Sequence, residues 1–434
     1  MNTIVAGAAI YCSLVISASN AEPLNVEVRQ VQNHYQIFVD GKPFYIKGAG
    51  LEAGSQEKLA EHGGNSFRTW HLENSDVLDR AQKNHLLVTI GLSVAGERHG
   101  FNYDDSLAVH SQLERVRAQV LNYKDHPAVL MWAIGNELNL DAHNPKVWDA
   151  VNEISRMIHQ VDPSHLTTSP VAGLNRELVQ LLKARAPDLD VLSVQMYADI
   201  INLPRYLKEY GWTGPYVVTE WGATGHWEVQ KTDWGAPVEN DSTTKANFYQ
   251  KRYEAAIQSD PAQCLGSYVF LWGQKQERTP TWYGMFLKSG EETATVDILH
   301  HFWKGSWPPN RSPQLQGAWL DGKTAQQSIH LRAGQSCQGK VLASDPDEDP
   351  LTYHWEVMEE STDLKSGGDF ETTPRKLPEC IEEPQNNKIV VKSPAKPGAY
   401  RLFVYVFDGN GHAAHANVPF YVDGNGSSSK VVAR

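Results

Sequence analysis

Two carboxylates stand in matching contexts. Glu137 closes Val129-Leu130-Met131-Trp132-Ala133-Ile134-Gly135-Asn136-Glu137, and Glu220 closes Tyr216-Val217-Val218-Thr219-Glu220. In each, an apolar run too short for a helix ends in a Glu. Such a run reads as a strand buried on both faces, as in a parallel sheet. Polar groups at the C-terminal ends of such strands are where α/β barrels keep their chemistry. Two carboxylates on one barrel end can flank a glycosidic bond. At ~5–5.5 Å apart one acts as nucleophile and the other as general acid/base, with retention of configuration; at ~6.5–9.5 Å the pair inverts it. A simple helix cap is the plain alternative for Glu137, and the matching carboxylate downstream outweighs it.

The elements that must position this pair follow from alternating strand and helix signals. Apolar runs at 43–48, 66–71, 86–91, 129–134, 166–169, 191–196, 216–219 and 265–271 read as eight strands. Helical periodicity separates them, as in Val147, Trp148, Val151, Ile154, Ile158 and Val161 behind Asn144-Pro145. Eight such units over about 260 residues predict an α/β fold, a (β/α)8 TIM barrel. Glu137 then closes the fourth strand and Glu220 the seventh, at the same end. Ahead of the barrel, 25–40 reads as short strands ending in the turn Asp40-Gly41-Lys42. Trp307-Pro308-Pro309-Asn310-Arg311-Ser312-Pro313 is a linker by composition. Short strands and turns beyond it suit a small immunoglobulin-like β-sandwich. The expected division is a barrel domain at 22–305 with an N-terminal hairpin, a linker at 306–314, the sandwich at 315–424 and a disordered tail at 425–434.

Three motifs occur in order: Asn65-x-x-Arg68-x-x-His71, Trp132-x-x-Gly135-Asn136-Glu137 and Thr219-Glu220-Trp221-Gly222. Together they resemble clan A glycoside hydrolases, and most closely the catalytic domain of glycoside hydrolase family 2. The resemblance covers about residues 43–305 and says little of substrate. It implies that Glu137 is the acid/base and Glu220 the nucleophile. It implies that Asn136 bonds the sugar 2-hydroxyl and that Arg68 sits beneath the nucleophile and holds it ionised. Tyr197, in Val194-Gln195-Met196-Tyr197, would donate to the nucleophile, and Trp272 would floor the sugar site. His71 is expected to orient the catalytic shell, and Trp221 joins it among the substrate-binding residues. No metal and no cofactor is implied. The C-terminal region resembles PKD-like or cadherin-like modules, which implies a spacer or accessory role; it offers no clear stacking platform for carbohydrate.

Other residues leave two readings open. His99, in Glu97-Arg98-His99 after the third strand, reads as a sugar contact or a loop-stabilising residue. The stretch 222–241, with Trp227 and Trp234, is long for a barrel loop and reads as a subsite wall or a packed loop. Gln274, Gln276, Trp282 and Tyr283 invite the same reading. The acidic turn Asp345-Pro346-Asp347-Glu348-Asp349 could ligate calcium, a solvated turn being the plainer reading.

Composition narrows the partners. The 434 residues carry a net charge of −12, which argues against nucleic acid or an anionic membrane. Thirteen Trp and seventeen Tyr suit a ligand with flat apolar faces and polar edges, such as a sugar ring. Residues 1–21 have no charged side chain, an apolar run at 4–16 and a small-x-small site at Ser19-Asn20-Ala21. This resembles a secretory signal peptide and is short for a membrane span, so a periplasmic or extracellular protein without membrane insertion is expected. Cys337 and Cys380 could pair in an oxidising compartment, and Cys264 reads as a free core thiol. The oligomeric state is left open.

The expected function is an exported retaining β-glycosidase acting on an oligo- or polysaccharide. A β-glucan is the lead substrate and β-1,3 the lead linkage. A β-galactosidase, β-mannosidase or transglycosylase would share these motifs. A non-catalytic carbohydrate-binding barrel is the reading from another class.

Overall fold

A computed structural model describes residues 23–382 and 386–424. The leader-like 1–21 and the tail 425–434 lie outside the described residues. Eight parallel strands close a barrel in chain order: Ile46–Gly50, Ser66–Arg68, Leu87–Leu92, Val129–Ile134, Leu166–Ala172, Val191–Gln195, Tyr216–Gly222 and Cys264–Phe270. Helices follow the strands, from Gln56–Glu61 after the first to Ala294–Lys304 after the eighth. The expected (β/α)8 barrel is therefore the fold.

The start differs from expectation. Lys42–Phe44 pairs antiparallel with His34–Val39, which pairs with Val26–Val31, so the first barrel strand begins only at Ile46. This three-stranded ribbon plugs the N-terminal end of the barrel. Its Val26 and Ile37 pack into one cluster with Ile46, Leu130, Met131 and Val217.

All six residues of the fourth strand are buried, which is why its sequence is continuously apolar. Trp132 buries its ring there and donates its indole N–H to Asp162 at 2.7 Å, leaving no unpaired donor. Inside the barrel, Tyr268 Oη meets the hydroxyls of Ser66 at 2.9 Å and Thr89 at 2.6 Å.

The C-terminal region is a two-sheet sandwich. One sheet holds Gln314–Leu320, Ser336–Ser344 and Lys388–Lys392; the other holds Ile329–Arg332, Ala413–Asp423, Gly398–Phe407 and Thr352–Glu359. Trp355, Val341, Leu402 and Phe420 lie in the core between them. Cys337 and Cys380 are buried free thiols, so the disulfide considered from sequence does not form. Cys337 lies in a strand opposite Val391, with Sγ 3.6 Å from that residue's carbonyl.

The two domains share buried polar contacts. Glu239, in the loop after the seventh strand, accepts from Lys245 Nζ at 2.5 Å, from the hydroxyls of Thr279 at 2.5 Å and Thr281 at 2.9 Å, and from Asn417 Nδ2 of the sandwich at 2.5 Å. Against burial, which pushes it up, Lys245 and these donors hold the Glu239 carboxyl at about 2. Arg401 of the sandwich donates to the Pro237 carbonyl at 2.6 Å. No helix among the described residues is long and apolar enough to cross a membrane.

Candidate active site

The C-terminal ends of the barrel strands open into a cavity of about 1110 Å³. Glu137 and Glu220 both line it. Glu137 stands just past the fourth strand in a left-handed conformation, φ +50°, after Gly135 at φ +70°. A non-glycine residue at positive φ is strained, and such strain gathers at functional sites. Glu220 lies in the seventh strand, which shifts register against the sixth between Val218 and Glu220.

Four donors converge on Glu220. Its Oε1 accepts from Arg68 Nη1 at 3.3 Å, Trp70 Nε1 at 3.0 Å and Gln195 Nε2 at 2.8 Å, and its Oε2 accepts from Tyr197 Oη at 3.0 Å. Asn136 Oδ1 accepts from Arg68 Nη2 and from Gln195 Nε2, both at 2.8 Å. A guanidinium can only donate, so the Asn136 oxygen must face Arg68, and its NH2 is left for the cavity. Gln195 thus ties the residue beside one carboxylate to the other carboxylate.

Burial pushes the Glu137 carboxyl up, and the Glu220 charge pushes it further, to about 7, while Arg98 and Arg68 pull the other way. Burial raises Glu220 as well, against Arg68, Tyr197, Trp70 and Lys275. Among the described residues no hydrogen bond reaches the Glu137 carboxyl, whereas four reach Glu220. Within the pair, Glu137 therefore keeps the proton and Glu220 the charge. Burial also raises the Tyr197 hydroxyl well above its ordinary value, with Glu220 adding to it, so Tyr197 stays a donor.

The structure brings Arg68, Asn136, Tyr197, Glu137 and Glu220 together as the motifs imply. His99 lines the cavity too, but its Nε2 lies 3.6 Å from Asp369 of the sandwich. Three residues assigned from sequence are placed otherwise. His71 is exposed, beside Glu52 and Glu73 at 3.9 and 4.0 Å, and touches no part of the catalytic shell. The strand ends at Arg68, and His71 lies in the loop beyond it. Trp221 is 0% exposed and packs against Tyr249 and Tyr253 outside the barrel, since adjacent strand residues point to opposite faces and Glu220 points inward. Trp272 borders the cavity, yet its ring is fully buried against Phe286 and Trp303 and its Nε1 donates to the Ser55 carbonyl at 3.0 Å. It is not an exposed floor.

Trp70 and Gln195 are the site residues that the motifs left without a role. For Gln195 the alternation of its strand was the available signal, since it shares a face with Ser193 inside the barrel; Trp70 lies past the end of its strand, where alternation gives no signal. Further out, Trp227 lines the cavity at 57% exposure with its ring edge-on to Tyr197. Gln274 and Tyr283 line it as well, while Trp282 is buried. Trp234, by contrast, packs on His330 and Tyr421 of the sandwich, so the loop is wall at one part and domain contact at another. Where the linker meets the sandwich, carboxylate oxygens of Asp345, Asp349 and Asp408 lie within 4.8 Å of one another, and Asn310 Nδ2 donates to Asp408 at 2.6 Å; none of the three lines the cavity.

Residues 56–253 match the family model of the glycosyl hydrolases family 2 TIM barrel domain. The match takes in somewhat under half of the chain, and over it the barrel is similar to the catalytic domain of that family. Over 219 residues the chain is 28% identical to a β-glucuronidase of Streptococcus agalactiae serotype V (strain ATCC BAA-611 / 2603 V/R), covering 43% of this chain and 34% of that protein. Over 165 residues it is 29% identical to a probable mannan endo-1,4-β-mannosidase C of Aspergillus terreus (strain NIH 2624 / FGSC A1156), covering 30% of this chain and 41% of that one. The chain thus spans well under half the length of these relatives. Among solved structures, a β-glucuronidase of Bifidobacterium dentium complexed with coumarin-3-O-glucuronide matches with TM-score 0.52 over 65% of this chain and 49% of its own, at 19% identity. At that identity the likeness is one of fold.

Proposed function

We propose that the protein is a retaining β-glycosidase. The observation that carries this is the asymmetric pair: a carboxylate held by four donors, beside a second carboxyl raised to about 7. In the first step Glu220 attacks the anomeric carbon while Glu137 gives its proton to the departing oxygen, and the glycosidic bond breaks. Esterified Glu220 no longer bears charge, so Glu137 falls in pKa and becomes a base. It then takes a proton from water, whose oxygen bonds to the anomeric carbon and releases Glu220 as carboxylate. The Asn136 NH2 suits the sugar 2-hydroxyl.

The walls favour a neutral glycan. Eight carboxylates line the cavity against four Lys or Arg residues, which opposes a uronate or another anionic sugar. A cavity of about 1110 Å³ exceeds the usual 300–1,000 Å³ of small-ligand pockets, so an oligosaccharide fits the space better than one ring. A β-glucan, β-1,3-linked first, is the substrate put forward; the acidic walls and the mannanase relative make a β-mannan second. Export is part of the proposal, on the leader-like 1–21.

The test combines two variants with azide. Glu220→Ala should lose turnover and, with azide, form the α-glycosyl azide by a single displacement. Glu137→Ala with azide should form the β-azide from the covalent intermediate. Unimpaired hydrolysis by Glu220→Ala would remove that residue from the role. A panel of β-1,3- and β-1,4-glucan, β-mannan and glucuronide substrates assigns the sugar, and glucuronide turnover alone would overturn the neutral-glycan reading.

A further inference from the structure

The long connection between strands Thr352–Glu359 and Lys388–Lys392 of the sandwich does not stay with its own domain. Residues 365–370 line the active-site cavity. The loop is fastened to the barrel at two separate places. On one side, Arg98, after the third strand, donates through Nη1 to the Ser366 carbonyl at 3.4 Å and lies 3.7 Å from Asp369. On the other side, Lys275 donates to the Gly368 carbonyl, and Arg278 donates through Nη2 to the Lys365 carbonyl at 2.9 Å.

Glu371 makes this second attachment firm. Its side chain is buried, pairs with the Arg278 guanidinium, and accepts from the backbone N–H groups of Arg278 at 2.6 Å and Lys365 at 3.0 Å. Gly367 and Gly368 allow the close approach. Both have positive φ, and a Cβ on Gly367 would meet Arg98 Nη1 at 2.4 Å. Loops of this length inside a compact domain are uncommon unless they are functional or disordered, and this one is pinned.

The pins flank the carboxylate pair: Arg98 is among the charges acting on Glu137 and Lys275 among those acting on Glu220. Arg98, Lys275 and Arg278 line the same cavity as both carboxylates. At the loop's tip, Phe370 is 81% exposed and lines the cavity with its ring unburied. An exposed aromatic face beside polar edges is what the apolar face of a sugar ring packs against.

We propose that the β-sandwich completes the active site: residues 365–370 form part of the cavity wall, and Phe370 is a platform for a sugar of the bound oligosaccharide. This rests on the glycosidase reading above and deepens it. Of the spacer and accessory roles that the sequence suggested, it favours the accessory one. Phe370 acts on binding of the oligosaccharide rather than on the bond-breaking groups.

The test uses the full chain with Phe370→Ala and Phe370→Trp, assayed on the β-1,3-linked glucotetraose and the β-1,4-linked mannotetraose. On the tetrasaccharide that is turned over, the Ala variant should raise KM about tenfold, in line with the worth of one aromatic stacking contact, with an unchanged thermal unfolding midpoint. The Trp variant should return KM close to the parent's. An unmoved KM in the Ala variant, or a Trp variant as impaired as Ala, would overturn the platform while leaving the glycosidase reading intact. Failure of the parent protein on both tetrasaccharides would overturn the neutral-glycan reading, and the platform with it.

Discussion

Two buried glutamates, Glu220 and Glu239, make an informative comparison. They lie nineteen positions apart on one segment and both are almost wholly buried. Around Glu239 the charge is answered: Lys245 neutralises it, three further donors fill its lone pairs, and the carboxyl falls to about 2. Around Glu220 the charge is only partly answered. Arg68 and three neutral donors face it, but a second carboxyl, Glu137, shares the site, and burial leaves Glu220 raised rather than lowered. The first arrangement stabilises one protonation state and joins two domains. The second keeps two protonation states close in energy, which is what proton transfer requires. Burial alone therefore does not separate a structural carboxylate from a chemical one; a second carboxyl sharing the site does.

That contrast can be broken by exchanging the effects of substitution. The largest expected effect is on turnover: Glu220→Ala should lower kcat by at least roughly 10⁴-fold. Its thermal midpoint should move less than that of a Glu239 variant, since loss of a desolvated charge offsets the unpairing of Arg68. A midpoint that collapses would make Glu220 structural after all. Next, Glu239→Gln should cost about 3–5 kcal/mol of stability by leaving Lys245 buried without a counter-charge. Denaturant unfolding measures it, and Glu239→Gln with Lys245→Met should recover most of the loss. If the double variant is as unstable as the single, the ion pair is not what the site depends on.

Tyr197→Phe removes one donor to a charged acceptor, worth roughly 1.5–3 kcal/mol, so kcat/KM should fall about 10- to 100-fold with little change in unfolding. A smaller effect separates the clusters by pH. Glu137 must be protonated to act, so kcat/KM should fall as pH rises through about 7. In Glu220→Gln, whose side chain bears no charge, carbon-13 titration should find Glu137 lower than that; an unmoved value would mean that burial alone sets it. For Glu239 the sign is opposite. Its folded pKa is depressed, so its contribution is present above the ordinary 4.5 and is lost as pH falls toward about 2. Comparing acid unfolding of the parent with Glu239→Gln checks this.

Much of the barrel and its two carboxylates was legible because the signals are local. An apolar run buried on both faces reads directly as a parallel strand, and a Glu at its end stands out. The errors came from carrying motifs without asking which way each side chain points. Trp221 sits beside inward-facing Glu220, and strand alternation turns it away from the cavity; His71 lies in the loop past its strand's end. The same alternation would have chosen Gln195. No such rule would have found the loop at 365–370. Its partners Arg98, Lys275 and Arg278 lie roughly ninety to two hundred and seventy positions away in sequence, and nothing in its composition points at the barrel.

The sequence by itself determined that eight buried strands would close a barrel and that Glu137 and Glu220 would meet at one end. Periodicity, strand count and the chemistry of strand ends carry that information without knowledge of distant contacts. Only the tertiary structure decided which carboxyl keeps the proton, because that depends on how many donors reach each one across the barrel. It alone placed a loop of the second domain at the cavity wall. Charge balance and cavity walls are sums over residues from many elements, and such sums exist only once the chain has folded.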